Sequence, residues 1–228
     1  MNDETPTDRF EDRLYEQFAR VGKALASRRR LEILGLLAQG EKRVEEVADR
    51  AGLSTANASH HLRKLLDARL VEVRREGPYA YYRLASDRVF ELLATLRAVA
   101  EERLAEIDRL VEQYLEDRRE LDAVTLEELR REYGSGDVVV IDVRPDDEYR
   151  AGHIEGARSV PLEEIDEALE ELPDDREIVA YCRGPYCLLS DDAVERLRAR
   201  GYRARRLNGG FPEWRARGLP VEEPGGTR

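Results

Sequence analysis

Apolar positions recur at steps of three and four over some stretches of this chain and alternate over others, and the changes of period mark its elements. Residues 28–38 (RRRLEILGLLA) put Leu31, Ile33, Leu34, Leu36 and Leu37 on a helical face that Gly40 ends. Val44, Val47 and Ala48 share one face of a shorter helix over 44–51, with Gly52 as its stop. A third helix opens at Ser54, with Ser54 or Thr55 as N-cap, and runs to about Ala68. From Leu70 to Glu76 the pattern alternates, Gly77-Pro78 turns the chain, and Tyr79 to Leu84 alternates back, which predicts a two-stranded hairpin.

Between Ser86 and about Arg119 there is neither proline nor glycine, and Val89, Leu93, Leu96, Ala100, Leu104, Ile107, Val111 and Tyr114 fall at helical steps. One helix of that length spans about 50 Å, more than a small unit needs for itself. Its seam therefore predicts an intersubunit stripe and a homodimer, a long capping helix being the plainer alternative. A second domain begins near Val124 with a helix over 126–133 and a turn at 134–136. Val138 to Ile141 is a continuous apolar run, as in a strand buried on both faces of a parallel sheet. Helical segments at 146–150 and 162–172, a buried strand at 178–181, a helix at 188–200, a strand at 204–207 and a helix at 212–217 follow. The alternation predicts a small α/β domain with a mainly parallel sheet. The tail from Glu222 to Arg228 is expected to be disordered. The front half, with helix, short helix, helix and hairpin in that order, predicts a mainly α winged helix-turn-helix. The expected division is 1–85 for that unit, 86–120 for the long helix and 121–228 for the α/β domain.

Charge divides the same way. The net charge of −11 hides +5 between Glu16 and Ala98, −3 before it and −13 from Val99 onward. A basic segment on an acidic remainder fits an anion-binding module joined to something else. The first thirty residues hold no apolar block, predicting no signal peptide. No apolar run approaches the roughly 18–20 residues of a membrane span, so a cytoplasmic protein without membrane contact is expected. Two cysteines five positions apart do not make a secreted disulfide framework.

The stretch LSTANASHHLRKLLDARLVEVRREGPYAYYRLA resembles the ArsR/SmtB family of winged-helix repressors over roughly residues 14–115. The likeness lies in LASRRRLEILGLL, in the pattern Ser54, Ser59, His61, Leu62, and in the wing sequence YYRL. It implies a recognition helix in the major groove of double-stranded operator DNA, with the wing on the backbone. Ser54, Thr55, Asn57, Ser59, His60 and Arg63 are then candidate groove residues, with Arg63 and Lys64 able to reach phosphate or guanine. Arg74 and Arg75 of the wing are candidate phosphate contacts. Metal-sensing relatives use cysteines in the second helix of the reader unit, or His and acidic residues on the terminal helix. Here VEEVADR holds neither Cys nor His, the long helix has no His, and His60 and His61 are adjacent and cannot face one site from a helix. No metal site and no cofactor are expected.

The stretch VVVIDVRPDDEYRAGHIEGARSVPL resembles the first signature of the rhodanese family, IVAYC leads into the loop CRGPYC, and GYRARRLNGGFPEWRARGLPV resembles the closing segment. The likeness covers about residues 124–221 and implies that Cys182 is a nucleophile accepting sulfur from a sulfane donor, whether polysulfide, persulfide or thiosulfate. The residues support that role by themselves. Cys182 follows a buried strand and precedes a helix, and Gly184 and Pro185 let successive backbone N–H groups of the loop, through Tyr186, turn inward as a nest for an anion. Arg183 adds charge, and Arg144 is expected at the same mouth. Related phosphatases carry an arginine where Leu188 stands, so phosphatase chemistry is not expected. Cys187 replaces the basic residue common in thiosulfate-using relatives. It can attack a persulfide on Cys182, form a disulfide or sulfur bridge with it, or simply pack at the helix start. Asp142 reads as structural or as orienting Arg144, Glu148 and His153 as fold-supporting, and Trp214 as core. Three readings follow: a dimeric regulator that senses reactive sulfur, a sulfurtransferase whose winged helix serves for dimerisation or localisation, and a constitutive repressor with a vestigial rhodanese domain, against which the intact Cys182 loop argues.

Overall fold

The computed structural model describes residues 6–114, 123–133 and 136–223, and the chain divides into two units, Met1–Ala94 and Thr95–Arg228. In the first, helix α1 (Pro6–Leu25) precedes α2 (Arg28–Ala38), strand β1 (Lys42–Arg43), α3 (Val44–Arg50), α4 (Thr55–Asp67) and the hairpin β2 (Val71–Glu76) and β3 (Tyr79–Leu84). Ile33, Leu34 and Leu37 of α2, Val47 and Ala48 of α3, and Ala58, Leu62 and Leu65 of α4 bury their faces in one core. The Ser54 side chain accepts the Asn57 N–H and caps α4. Gly77 turns the hairpin with φ of 57°, where a side chain is strained. β1 joins the hairpin as a third antiparallel strand in the order β1-β3-β2.

Helix α1 has no counterpart in the expected elements. Its Phe10, Leu14 and Phe18 follow at steps of four, and Phe10, Tyr15 and Phe18 are 64, 67 and 58% exposed. The single helix expected over 86–119 is two helices, α5 (Asp87–Arg103) and α6 (Ala105–Tyr114), and residues 115–119 lie outside the described ones. The break falls at Leu104, whose carbonyl accepts the Ile107 N–H three residues on, a tighter turn than an α-helix makes. No residue type at the break announces it. Val89 and Phe90 are buried, whereas Leu96, Val99, Leu104, Leu110 and Tyr114 are exposed.

In the second unit, β4 (Ala123–Val124), β5 (Val138–Asp142), β7 (Arg158–Ser159), β8 (Glu177–Cys182) and β9 (Ala204–Gly210) make a five-stranded parallel sheet in the order β4-β9-β8-β5-β7. Alternate residues of the central strands feed two cores. Val139, Ile141, Ile178 and Ala180 pack on one face with Val194 and Leu197 of α10 (Leu189–Ala199). Val138, Val140, Val179 and Tyr181 pack on the other with Leu129 of α7 (Leu126–Tyr133) and with Phe211 and Trp214 of α11 (Phe211–Ala216). This two-faced burial is what the unbroken apolar runs predict. α8 (Asp146–Ala151) follows β5, and the helix expected over 162–172 is one α-turn, α9 (Ile165–Ala168), between two 3-10 turns. The expected disorder of the tail is corrected at its start: β10 (Val221–Glu222) pairs antiparallel with β6 (His153–Ile154), while residues 224–228 lie outside the described ones.

Candidate functional site

Helix α4 buries Ala58, Leu62 and Leu65 and leaves Ser54, Thr55, Asn57, His60, Arg63 and Lys64 exposed, with Ser59 half-buried. The Ser54 hydroxyl is occupied in capping the helix. His61 points the other way. Burial, aided by the nearby charge of Arg30, lowers its pKa from the ordinary 6.5, and its buried Nδ1 has no hydrogen-bond partner among the described residues. On the hairpin, Arg74 is held by Glu41 and Glu76, each at 2.6 Å, and lies over the Tyr81 ring at 4.6 Å. The two carboxylates raise its pKa further above an already high value. Arg75 is exposed and has no ion pair with a described residue. Among the described residues no three His, Cys, Asp or Glu side chains gather as a metal ion requires.

The second cluster lies where the parallel strands end, at the carboxyl edge that open α/β sheets use for ligands. β8 ends in Cys182, fully buried, and the chain loops through Arg183, Gly184, Pro185 and Tyr186 to the half-buried Cys187. Cys182 and Cys187 are joined by a disulfide, their Cα atoms 6.2 Å apart. The Cys187 N–H bonds the Gly184 carbonyl at 3.1 Å, and Ser190 of α10 donates its hydroxyl to the Cys187 carbonyl at 3.3 Å. Gly210 pairs with Cys182 in the sheet register. Its backbone is extended, with φ of −152°, so close approach rather than conformation excludes a side chain. A Cβ there would sit 2.3 Å from the Cys182 oxygen and 2.4 Å from the Gly184 nitrogen.

The arginines expected at the mouth are placed differently. Arg144 is fully buried, not at the mouth. Its Nε and Nη2 reach the two oxygens of Asp142 at 2.9 and 2.6 Å, Nη2 also reaches the Gly152 carbonyl at 2.7 Å, and the guanidinium lies 4.7 Å from the Phe211 ring centre. Burial opposes its charge, but the hydrogen bonds and field of Asp142 win, and the net pKa is raised. The Tyr181 hydroxyl donates to Asp142 at 2.6 Å and accepts the Ile154 N–H at 3.1 Å. Burial, then the Asp142 charge, pushes that phenol well above its ordinary value, so it stays a donor. Arg183 does stand at the loop, but Nε and Nη2 clasp the fully buried Glu148 at 2.8 to 3.0 Å. Its charge is therefore balanced inside the protein. Glu148, read from the sequence as a fold-supporting hydrogen-bonder, thus accepts from Arg183 of the loop, and the His153 ring stacks on Tyr149 at 3.7 Å.

Further carboxylates surround the loop, each with a partner. Asp191 in the first turn of α10 faces Arg206 at 3.4 Å, Glu213 pairs with Arg97 at 2.8 Å, and Glu101 accepts the Tyr186 hydroxyl at 2.6 Å. Arg97 and Glu101 lie before the stretch that resembles rhodanese, and only their spacing of four on one helix hints that they act together.

Comparison with known proteins bears on both clusters. The family described as "Bacterial regulatory protein, arsR family" matches residues 27–73, and the rhodanese-like domain family matches residues 125–217. The HTH-type transcriptional regulator Rv0324 of Mycobacterium tuberculosis is 48% identical over 210 residues, covering 92% of each chain. A protein of Allochromatium vinosum named sulfurtransferase is 36% identical over 91 residues, 40% of this chain and 83% of that one. A solved fragment from Mycobacterium bovis, described as the homodimeric winged helix-turn-helix DNA-binding domain of a possible ArsR-family regulator, is 46% identical, covers 46% of this chain and 94% of its own, and superposes with a TM-score of 0.41. With an ArsR-type reader in front, a rhodanese-like domain behind and a relative alike over nearly its whole length, the chain belongs to the ArsR-type HTH transcriptional regulators that carry a rhodanese-like domain.

Proposed function

We propose that this regulator binds double-stranded operator DNA as a cytoplasmic homodimer and that its rhodanese-like loop senses sulfane sulfur, with Cys182 accepting the sulfur and Cys187 resolving it. The observation that carries this reading is the pairing of Cys182 with Cys187 across one loop at the end of the central strand. In the first step the Cys182 thiolate attacks the outer sulfur of a persulfide or polysulfide. The donor S–S bond breaks, a Cys182 persulfide forms and the donor leaves as a thiolate. In the second, the Cys187 thiol attacks Cys182 Sγ, closing the disulfide and releasing the transferred sulfur as hydrogen sulfide. A donor of low charge fits the compensated loop better than dianionic thiosulfate. A sulfurtransferase passes its sulfur outward, and a resolving cysteine five residues away intercepts it, which favours the sensor.

On the DNA side, Thr55, Asn57, Ser59 and His60 present groups to base edges, Arg63 and Lys64 reach phosphate or guanine, and Arg74 and Arg75 approach phosphates. The apolar residues left exposed on α1, α5 and α6 are the surface a second copy would cover. Gel shifts on the operator with reduced and polysulfide-treated chain test the reading, alongside mass spectrometry of the loop. Expected is a change of affinity on treatment, with a Cys182 persulfide followed by the disulfide. Equal affinity in the two states would overturn the sensor.

A further inference from the structure

Helix α5 reaches the sulfur loop from outside the residues that match the rhodanese-like family, and Arg97, Glu101 and the loop all lie in the unit Thr95–Arg228. Tyr186, the residue before Cys187, donates its hydroxyl to Glu101 Oε1 at 2.6 Å. One turn earlier, Arg97 places Nη2 at 2.8 Å from Glu213 Oε1 and Nε at 3.7 Å from Glu101 Oε1. The other oxygen of Glu213 accepts the Gly210 N–H at 3.0 Å, and Gly210 is the register partner of Cys182. A closed ring results: Cys182, the loop, Tyr186, Glu101, Arg97, Glu213, Gly210 and back to Cys182. Both cysteines are thereby tied to the same two side chains of α5, one through Tyr186 and the other through Glu213 and Gly210.

We propose that Arg97 and Glu101 are positioning residues of the sulfur site, holding the Tyr186–Cys187 segment where Cys187 meets Cys182 and so setting how readily the pair closes and opens. The inference rests on the reading that the two cysteines work as a pair. Burial and the hydrogen bond to Glu101 push the Tyr186 phenol up to about 12, so it remains a donor throughout the neutral range. Opening the pair is thiol–disulfide exchange with a low-molecular-weight thiol. Two thiol molecules form one disulfide, and the two hydrogens they give up convert the Cys182–Cys187 bond to two thiols.

The test equilibrates the full chain in glutathione buffers of graded redox poise and measures the closed fraction by alkylation and mass spectrometry. Tyr186→Phe and Glu101→Ala are expected to shift the closing equilibrium toward the open dithiol by about three- to tenfold, the effect of losing one hydrogen bond of ordinary net strength at a partly exposed position. Glu101→Gln keeps an acceptor and is expected to restore most of the wild-type balance. Unfolding followed by Trp214 fluorescence identifies any variant that has lost its fold, and Tyr186→Phe alone then decides. Identical closing equilibria in wild type, Tyr186→Phe and Glu101→Ala would overturn the proposal, as would a Gln variant as impaired as the Ala one. Persulfide loading of the reduced wild type is read in parallel. Loading with unshifted equilibria sinks the positioning role alone, and shifted equilibria without loading sink the sulfur-sensing reading alone.

Discussion

Along α4, Thr55, Asn57, His60, Arg63 and Lys64 stand in solvent on a helix whose opposite face is locked into the core, whereas around the 182–187 loop Arg183, Arg144, Tyr186 and Glu213 are each bonded to a partner in the same unit. In the proposed reading, the first is a surface that reads a large external partner, keeping its donors outward and fixing only the scaffold beneath them. The second is a site that makes and breaks bonds between its own atoms, whose charges serve geometry more than attraction. The hairpin falls between the two, since Arg74 is outward but already held by Glu41 and Glu76.

The contrast breaks most directly at the loop. Cys182→Ser is expected to abolish sulfur acceptance, because a hydroxyl is hardly ionised near neutral pH and carries no persulfide. Mass spectrometry of polysulfide-treated chain reads the result, and undiminished labelling in that variant would remove the loop from the chemistry. Next in size is Asp142→Ala, which leaves the buried Arg144 charge without its carboxylate and the Tyr181 hydroxyl without its acceptor. A loss of about 3–5 kcal/mol is expected, the usual cost of breaking a buried ion pair. Denaturant unfolding followed through Trp214, the one tryptophan of the chain, measures it in the second unit. On the hairpin, replacing Arg75 with Ala should weaken binding to all DNA sequences alike and flatten the salt dependence by about one phosphate contact, while Asn57→Ala on α4 should alter sequence preference. Binding isotherms at several salt concentrations separate these, and a change of preference in the Arg75 variant would contradict the assignment.

A smaller effect probes the pH response of the reader unit. Burial lowers the pKa of His61 in the folded state, so the unfolded chain takes up the proton first as pH falls. Its stabilising contribution is full above the unfolded value near 6.5 and is lost as pH drops through that value toward the lowered folded one. Hydrogen exchange of the α4 amides between pH 5 and 7 should show this loss, and His61→Gln should flatten it. An unchanged slope in that variant would place the response elsewhere.

Much of this was legible in the residues. Ser54 as cap, the Gly77 turn and the Val138–Ile141 run are local signals, because a cap, a positive φ and two-faced burial each demand particular residue types over a few positions. The position of Cys182 between strand and helix was legible for the same reason. What escaped was non-local. Asp142 was legible as a residue that orients Arg144, but the burial of that pair was not, and Arg183 reads as a free cation until α8 delivers Glu148 from 35 residues away. Nothing in the sequence ties Tyr186 to Glu101 across 85 residues. Helix α1 was readable from Phe10, Leu14 and Phe18, whereas the break at Leu104 carries no residue signal.

The contact between Gly210 and the loop has a consequence at the level of inheritance. Alanine differs from glycine by a single nucleotide in the codon, and at this position it would add one methyl group between β9 and the Cys182 carbonyl. Both cysteines, every charged group and the exposed face of α4 would be kept, yet the loop could no longer lie against the strand. In the proposed reading, one base change at this codon turns a responsive regulator into one deaf to sulfur. Purifying selection on the sensor, as distinct from the reader, would then be visible as the retention of a residue with no side chain.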